Sequence, residues 1–538
     1  MNQDTIGDFY ECVMQYRTQN PITRLDYPDP DVIRVEDTYY MVSTTMHFMP
    51  GCEILRSYDL LNWEHAAYVY DKLDSTPEQR LEGNGNIYGK GMWAASLRYH
   101  KGRFYVCFVA NDTGKTYLYT AERIEGSWEK RTIEGFYHDC SLLFDEDDSI
   151  YIVYGNKDIY LTQLKEDLSG PKEGGLHRLI VSDAGNPMLG YEGSHFYKIN
   201  GKYYVFLIHS LREAWRRVEA CFVADSLEGE FQGGDILNDD IGYCDQGVAQ
   251  GGIVDTPEGK WYAVLFQDRG AVGRIPVLIP VTWENDFPVL GQQGRVPERL
   301  EVSSTRPSYR YAPLVQSDDF RGPKALPEEE LARAYGCFGL KSCWQFNHEP
   351  DLSLVEWKKE EGSLQIMTGK LCSNITQARN VLTQRMTYPG CGCEVTVDIT
   401  HLKDGDVAGI CALQGIYGYI GVTRRAGKAY VVMVGKEAED ADMNAFSKAA
   451  ESGREWEAVP IEGNRIRLKM DADFTGMKDE VKFCYFDRSE VAYKNVGITH
   501  KLYFKLDHFT GCRVGLFVYS TKETGGRATF TDFVYKER

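Results

Sequence analysis

No run of apolar residues in this 538-residue chain approaches the roughly 18 that a helix needs to cross a bilayer, so no helical membrane span is expected. Basic residues are in deficit. Sixty Lys and Arg against 79 Asp and Glu leave a formal charge of −19, which removes the electrostatic reason for a nucleic acid or an anionic membrane as partner. A neutral polyhydroxyl ligand suits that charge. The opening residues, MNQDTIGDFYECVMQYRTQNP, lack the basic start and apolar core of a signal peptide, and the expectation is a soluble, cytoplasmic protein. The 14 cysteines show neither disulfide-framework nor zinc spacing. They are scattered from Cys12 to Cys512 in apolar segments, where a reduced thiol behaves as a small buried hydrophobe. The closest pair, Cys391 and Cys393, has no His or second Cys pair at ligand distance along the chain, so no metal is expected there.

What the sequence does contain is a repeat. With 43% apolar residues, the chain is too long for one core, so two domains are the minimum. DTYYMVST, GRFYVCFVA, DSIYIVYG, GKYYVFLI and GKWYAVLFQ are five versions of one strand, each preceded by a short strand and a tight turn. Each copy therefore reads as a β-hairpin. Their anchors, Tyr39, Phe104, Ile150, Tyr203 and Trp261, are 65, 46, 53 and 58 residues apart, a period that suits four-stranded propeller blades. Trp63, Trp128 and Phe231 follow three of these anchors by 24, 24 and 28 residues and read as outer strands of the same blades. The fold class is all-β: a five-bladed β-propeller, followed by a second domain.

Equivalent positions in successive blades converge on the axis, where inner strands begin. Asp29 lies 10 residues before its anchor, and Trp93, Asp139, Glu192 and Gln250 each lie 11 before theirs. Three of the five are acids. A turn-capping role explains any one of them alone, but three acids aimed at one cavity repel one another and cost stability unless function requires them. Pro28 and Pro30 then read as stiffeners that fix the direction of Asp29.

Acids flanked by aromatics fit glycosidic bond cleavage, which needs one carboxylic acid to protonate the leaving oxygen and one carboxylate to activate water or to attack. Trp93 and Phe48 supply candidate sugar-stacking faces; blade packing for the first and a loop plug for the second are the plain alternatives. A non-catalytic sugar-binding propeller is the rival from another class, but it has no need of three axial acids.

The segments YPDPDVIRVEDTYYMVSTT, RSYDLLNWE, GMWAASLRY, YHDCSLLFDEDD, YEGSHFYKINGKYY and VGRIPVLIPVTWEND resemble glycoside hydrolase family 43. The resemblance covers nearly the whole chain and implies roles: Asp29 as general base, Asp139 as the group that tunes the acid and orients substrate, and Glu192 as general acid. It also implies that Arg274 contacts sugar hydroxyls. Gln250 stands where many relatives carry a histidine that touches substrate or helps hold a central calcium, so no cofactor is expected and calcium is at most an accessory. Met46 stands where xylosidases of this kind often carry an aromatic residue.

After VLGQQGRVPERLEVSSTRPSYRYAPLVQSDDF the hairpin register stops. The domains are read as 1–317, the propeller, and 318–538, where ARNVLTQRM, CEVTVDITH, GYIGVTRR, KAYVVMVG, RIRLKMDAD and VGLFVYST alternate like the strands of a two-sheet sandwich. The resemblance implies a concanavalin-like C-terminal domain whose loop leans on the propeller and favours chain-end cleavage. The expected activity is that of an exo-acting, inverting β-xylosidase on short β-1,4-xylo-oligosaccharides, with α-L-arabinofuranosidase as the alternative. The partner expected is an oligosaccharide substrate, and a homo-oligomer is compatible with the sequence.

Overall fold

The computed structural model describes residues 19–322, 334–336, 338–437, 452–487, 491–506 and 508–538. Residues 1–18, which include Cys12 and most of the stretch read for a targeting signal, lie outside them. Among the described residues no helix is long and apolar enough to cross a membrane.

Five four-stranded antiparallel sheets are each built from four consecutive strands. Blade one comprises Asp31–Val35, Thr38–Ser43, Gly51–Ser57 and Glu64–Tyr70. The inner strands of the others are Met92–His100, Ser141–Phe144, Glu192–Ile199 and Val248–Asp255, and neighbouring inner strands touch all the way round the ring. The repeated hairpins are in the register that the anchors imply, for example Arg34 opposite Tyr39, Tyr99 opposite Phe104 and Lys198 opposite Tyr203.

Alternation within each strand sends one set of apolar side chains to each neighbouring blade. Val42 and Ile54 meet Leu97 and Val106; Cys107 and Leu118 meet Leu142 and Ile152; Val153 and Leu161 meet Phe196 and Val205; Phe206 meets Ile253 and Leu265. Each such fully buried aliphatic or aromatic side chain is worth about 1.5–3 kcal/mol. The fifth junction differs. Val32 and Met41 of blade one and Val254 and Val264 of blade five belong to a core that continues into the second domain through Phe346, Val395 and Leu516.

Among the described residues no strand is shared between the first and last blades, and loops join them. Asn20 Nδ2 donates to the Leu278 carbonyl at 2.8 Å, the Ile22 amide to Pro276 at 3.0 Å and the Tyr27 amide to Arg274 at 2.9 Å. The segment leaving blade five returns to blade one, where Tyr309 donates to Glu64 at 2.6 Å and the Thr305 amide donates to the Tyr58 carbonyl at 2.8 Å.

Among the described residues the second domain is a sandwich of a seven-stranded and an eight-stranded sheet. Asp318 exchanges both backbone hydrogen bonds with Phe533 of the last strand, Arg527–Glu537, at 2.9 and 3.0 Å. Across the domain boundary Phe346 pairs with Met49, and Arg385 donates to Glu53 at 2.6 Å.

Candidate active site

The inner strands enter the axis through unusual backbone. Asp29, Asp139 and Gln250 have φ of 51°, 48° and 56°, a left-handed conformation that Asp tolerates better than most residues and that is held only where the surroundings enforce it. The register of three inner strands also shifts at this end, between Trp93 and Ser96, between Glu192 and His195, and between Ala249 and Gly251. Gly193, after Glu192, has φ of 65°, and a Cβ there would lie 2.6 Å from Cδ of Gln250. Only glycine fits.

Beneath the acids a buried hub ties four blades. Asp31 accepts from Arg98 Nη1 at 2.7 Å and the Leu97 amide at 2.8 Å, with His195 Nδ1 3.1 Å away. Arg98 also donates to Ser141 Oγ at 2.6 Å, and Ser141 accepts from the Phe196 amide at 2.9 Å. Burial opposes the charge on Asp31, but Arg98 and His195 outweigh it and hold the carboxyl below its usual range. Asp31 and Ser141 each lie two residues beyond an axial acid, so the hub sets where Asp29 and Asp139 begin.

The three acids differ in surroundings. Asp29 is buried and accepts from Arg274 Nη1 at 2.5 Å and from Thr44 Oγ1 at 2.6 Å, one donor on each oxygen. Asp139 accepts from the Gly193 amide at 3.1 Å. Burial, reinforced by the charges of Glu192 and Asp29, pushes its carboxyl up to about 6 against the opposing pull of His138. Glu192 is 21% exposed and accepts from Asn156 Nδ2 at 2.6 Å. His138 Nε2 stands 3.7 Å from Asp139 Oδ2 and 3.9 Å from Glu192 Oε2. Burial disfavours its charge, yet the two carboxylates outweigh burial and raise it to about 9.

Arg274, expected to contact sugar hydroxyls, is enclosed by protein groups. Its guanidinium carbon lies 4.4 Å from the Phe266 ring centre and 4.1 Å from that of Phe509, and its Nε is 3.4 Å from Asp268, which also pairs with Arg217. Trp93 meets Phe509 edge-on at 5.1 Å and His138 at 6.0 Å. Gln250 is buried; its backbone amide donates to Glu219 at 2.7 Å and its side chain packs on Gly193.

The axis therefore gathers Asp29, Trp93, Asp139, Glu192, Gln250 and Arg274. Phe48 is elsewhere. It is 1% exposed and lies beneath the Arg513 guanidinium at 4.2 Å, so neither domain leaves its ring a face for a sugar; it is an interdomain packing residue. Met46 is likewise buried, exchanging backbone hydrogen bonds with Met92 at 3.1 and 3.2 Å and facing Thr510. Sequence reasoning missed His138 and Phe509. Phe509 arrives on a sandwich loop anchored by the Gly511 amide to Asp26 at 2.8 Å and by the Cys512 amide to Ala271 at 2.8 Å.

The nearest candidate for a metal site among the described residues is His138, Asp139 and Glu192, whose ligand atoms all lie within 4.8 Å of one another. Chemically, the axis offers a carboxylate fixed by a guanidinium on one side and, on the other, a partly open carboxyl beside a buried one with an elevated proton affinity. That is the equipment for activating water at one face of a bond and protonating an oxygen at the other.

Two family profiles match the chain: Glycosyl hydrolases family 43 over residues 18–288, and Beta xylosidase C-terminal Concanavalin A-like domain over residues 339–536. A Beta-xylosidase from Formosa agariphila is 24% identical over 96% of this chain and 90% of its own length. Xylosidase/arabinosidase 43B from Humicola insolens is 25% identical over 97% and 98%. The solved structure of a bifunctional GH43-CE protein from Bacteroides eggerthii shares 40% identity and a TM-score of 0.86; it covers 97% of this chain, which spans 64% of that one. The two profiles account for the propeller and the sandwich in the order in which the chain lays them down, and the chain belongs to glycosyl hydrolase family 43.

Proposed function

We propose that this glycoside hydrolase is an exo-acting, inverting β-xylosidase that releases terminal xylose from short β-1,4-xylo-oligosaccharides. The observation that carries the reading is the asymmetry of the acids. Asp29 has a donor on each oxygen, one of them a guanidinium, and so is suited to remain a carboxylate that takes a proton from water. Glu192, the more open of the three, gives its proton to the departing oxygen, with Asp139 beside it. Asp29 and Glu192 stand at the starts of blades one and four of the five, on different walls of the axis, and the reading expects between them the separation of about 6.5–9.5 Å that inverting enzymes keep for a water molecule. The chemistry needs no cofactor, and calcium is at most an accessory.

Cleavage at a chain end is supported by the sandwich loop, which sets Phe509 over Arg274 and against Trp93 and so walls one side of the axis. The xylose preference rests on the name of the Formosa agariphila relative; that of the Humicola insolens relative keeps α-L-arabinofuranosidase as the second reading. A cytoplasmic location is compatible with the described cysteines, which are free thiols and, apart from Cys244, buried.

NMR of the first-released sugar tests the mechanism. A β-linked substrate is expected to give the α-anomer before mutarotation, and initial β-anomer would remove Asp29 from the role of base. Relative rates on nitrophenyl β-xyloside and nitrophenyl α-arabinofuranoside decide the sugar.

A further inference from the structure

At 3.7 and 3.9 Å, His138 Nε2 is too far from Asp139 and Glu192 for a hydrogen bond to either. The nitrogen is nevertheless buried and has no hydrogen-bond partner. An imidazole serving only as an ion-pair partner would close on one carboxylate to about 2.8 Å. This one is placed between the two, and the three ligand atoms all lie within 4.8 Å of one another.

Those spacings have a chemical counterpart. Zinc binds His nitrogen at about 2.0–2.1 Å and carboxylate oxygen at about 2.0–2.2 Å, so two ligands at a tetrahedral angle stand about 3.4 Å apart. The observed separations to Nε2 exceed that by a few tenths of an ångström. Each carboxylate is also steadied by a second partner, the Gly193 amide on Asp139 and Asn156 Nδ2 on Glu192, which fixes ligand direction while leaving acceptor capacity on the oxygens. A mixed nitrogen and oxygen set with an open fourth position suits a first-row transition ion rather than calcium, which prefers six to eight oxygens.

We propose that His138, Asp139 and Glu192 form a binding site for a divalent transition-metal ion of the zinc class, and that the bound ion shuts the enzyme off by occupying the carboxylates that handle the proton. No redox change is involved; the metal displaces the protons held by the His138 imidazolium and the acid carboxyl, which pass to solvent, and takes lone pairs from one imidazole nitrogen and two carboxylate oxygens, and its removal lets the protons return. The inhibition rests on the proposed roles of Asp139 and Glu192, whereas the binding does not.

The test is calorimetric titration of zinc chloride into the metal-free full-length protein and into His138→Asn, with hydrolysis of nitrophenyl β-xyloside and nitrophenyl α-arabinofuranoside followed over the same zinc range. The wild type is expected to show a zinc site that the variant weakens by about tenfold or more, given that even second-sphere changes cost about 10–100-fold. Hydrolysis should fall with the same midpoint and recover on chelation, each protein being compared with its own zinc-free rate. Should the variant not fold, zinc titration of Asn156→Ala, which removes the partner that steadies Glu192, replaces it and is expected to show weakened binding. Absence of zinc binding, or binding unchanged by the substitution, overturns the site. Zinc bound through His138 without loss of hydrolysis keeps the site and instead removes Asp139 and Glu192 from the reaction.

Discussion

Phe509 of the sandwich lies 4.1 Å from the guanidinium carbon of Arg274, whose Nη1 donates to Asp29 at 2.5 Å. One domain thus braces the general base proposed for the other. Phe509→Ala is expected to lower kcat/KM on xylobiose by about tenfold or more, since small displacements of a positioned group are costly in rate. Large-to-small truncation of a buried Phe costs about 3–5 kcal/mol, so the melting temperature must be followed as well. An unchanged kcat/KM would remove Phe509 from the site.

Arg274→Met leaves Asp29 with Thr44 as its remaining donor. Breaking one side of a buried ion pair costs about 3–5 kcal/mol, and the expected result is a lower melting temperature together with a fall in kcat of about 100-fold. Steady-state kinetics would settle this, and a change confined to KM would point to sugar contact alone.

Glu192→Gln removes the proton donor while keeping the shape and the capacity to accept from Asn156. Losses of about 10²–10⁴-fold are expected on xylobiose, with much smaller ones on aryl glycosides whose leaving groups need little protonation. Equal, small losses on both substrates would reject the assignment.

Exhaustive chelation should leave hydrolysis intact, because the axial position of blade five holds an amide, Gln250, packed on Gly193, and not an imidazole. Loss of activity on chelation with recovery on added calcium would overturn this reading of the axis.

Acid should loosen the domain boundary. His47, His348 and His508 are buried there, with ring centres 5.0 and 5.1 Å from His47. Burial first, and then the neighbouring positive or imidazole charges, push all three down, His348 and His508 to about 3. Unfolded, each titrates near ~6.5. Their contribution to stability is therefore whole above that value and drains as pH falls towards the folded values, at about 1.4 kcal/mol per pH unit for each histidine. Calorimetric melting between pH 7.5 and 4.5 should show a steep fall, shallower in His348→Gln, whose side-chain carbonyl can still accept from the Ile87 amide that His348 Nε2 now serves. An identical slope in the variant would count against the interface histidines.

The axial acids were legible because a propeller converts sequence period into geometry. Once five hairpins share a register, Asp29, Asp139 and Glu192 must meet. Residues outside that period were not legible in the same way. Phe48 follows the same blade-one strand closely in sequence, but its environment is decided by Arg513 from the far end of the chain. His138 sits one position before an axial acid, where strand alternation would turn it away; the left-handed turn at Asp139 breaks the alternation and lets both residues face the axis. Phe509 lies in a loop that no repeat locates.

The core between blades five and one, unlike the other four, is continuous with that of the sandwich. This sets an order of assembly. During synthesis four seams of the ring have all their residues once blade five has emerged, but the closing seam includes Leu516 and Phe533, which are made near the end. Until then the fifth seam lacks its sandwich side chains, and the same late stretch delivers Phe509 to Arg274 at the axis. Full burial of the fifth seam and completion of the wall beside Arg274 therefore await the same stretch of chain, so a product truncated before it would carry all three acids but neither the complete seal nor the wall.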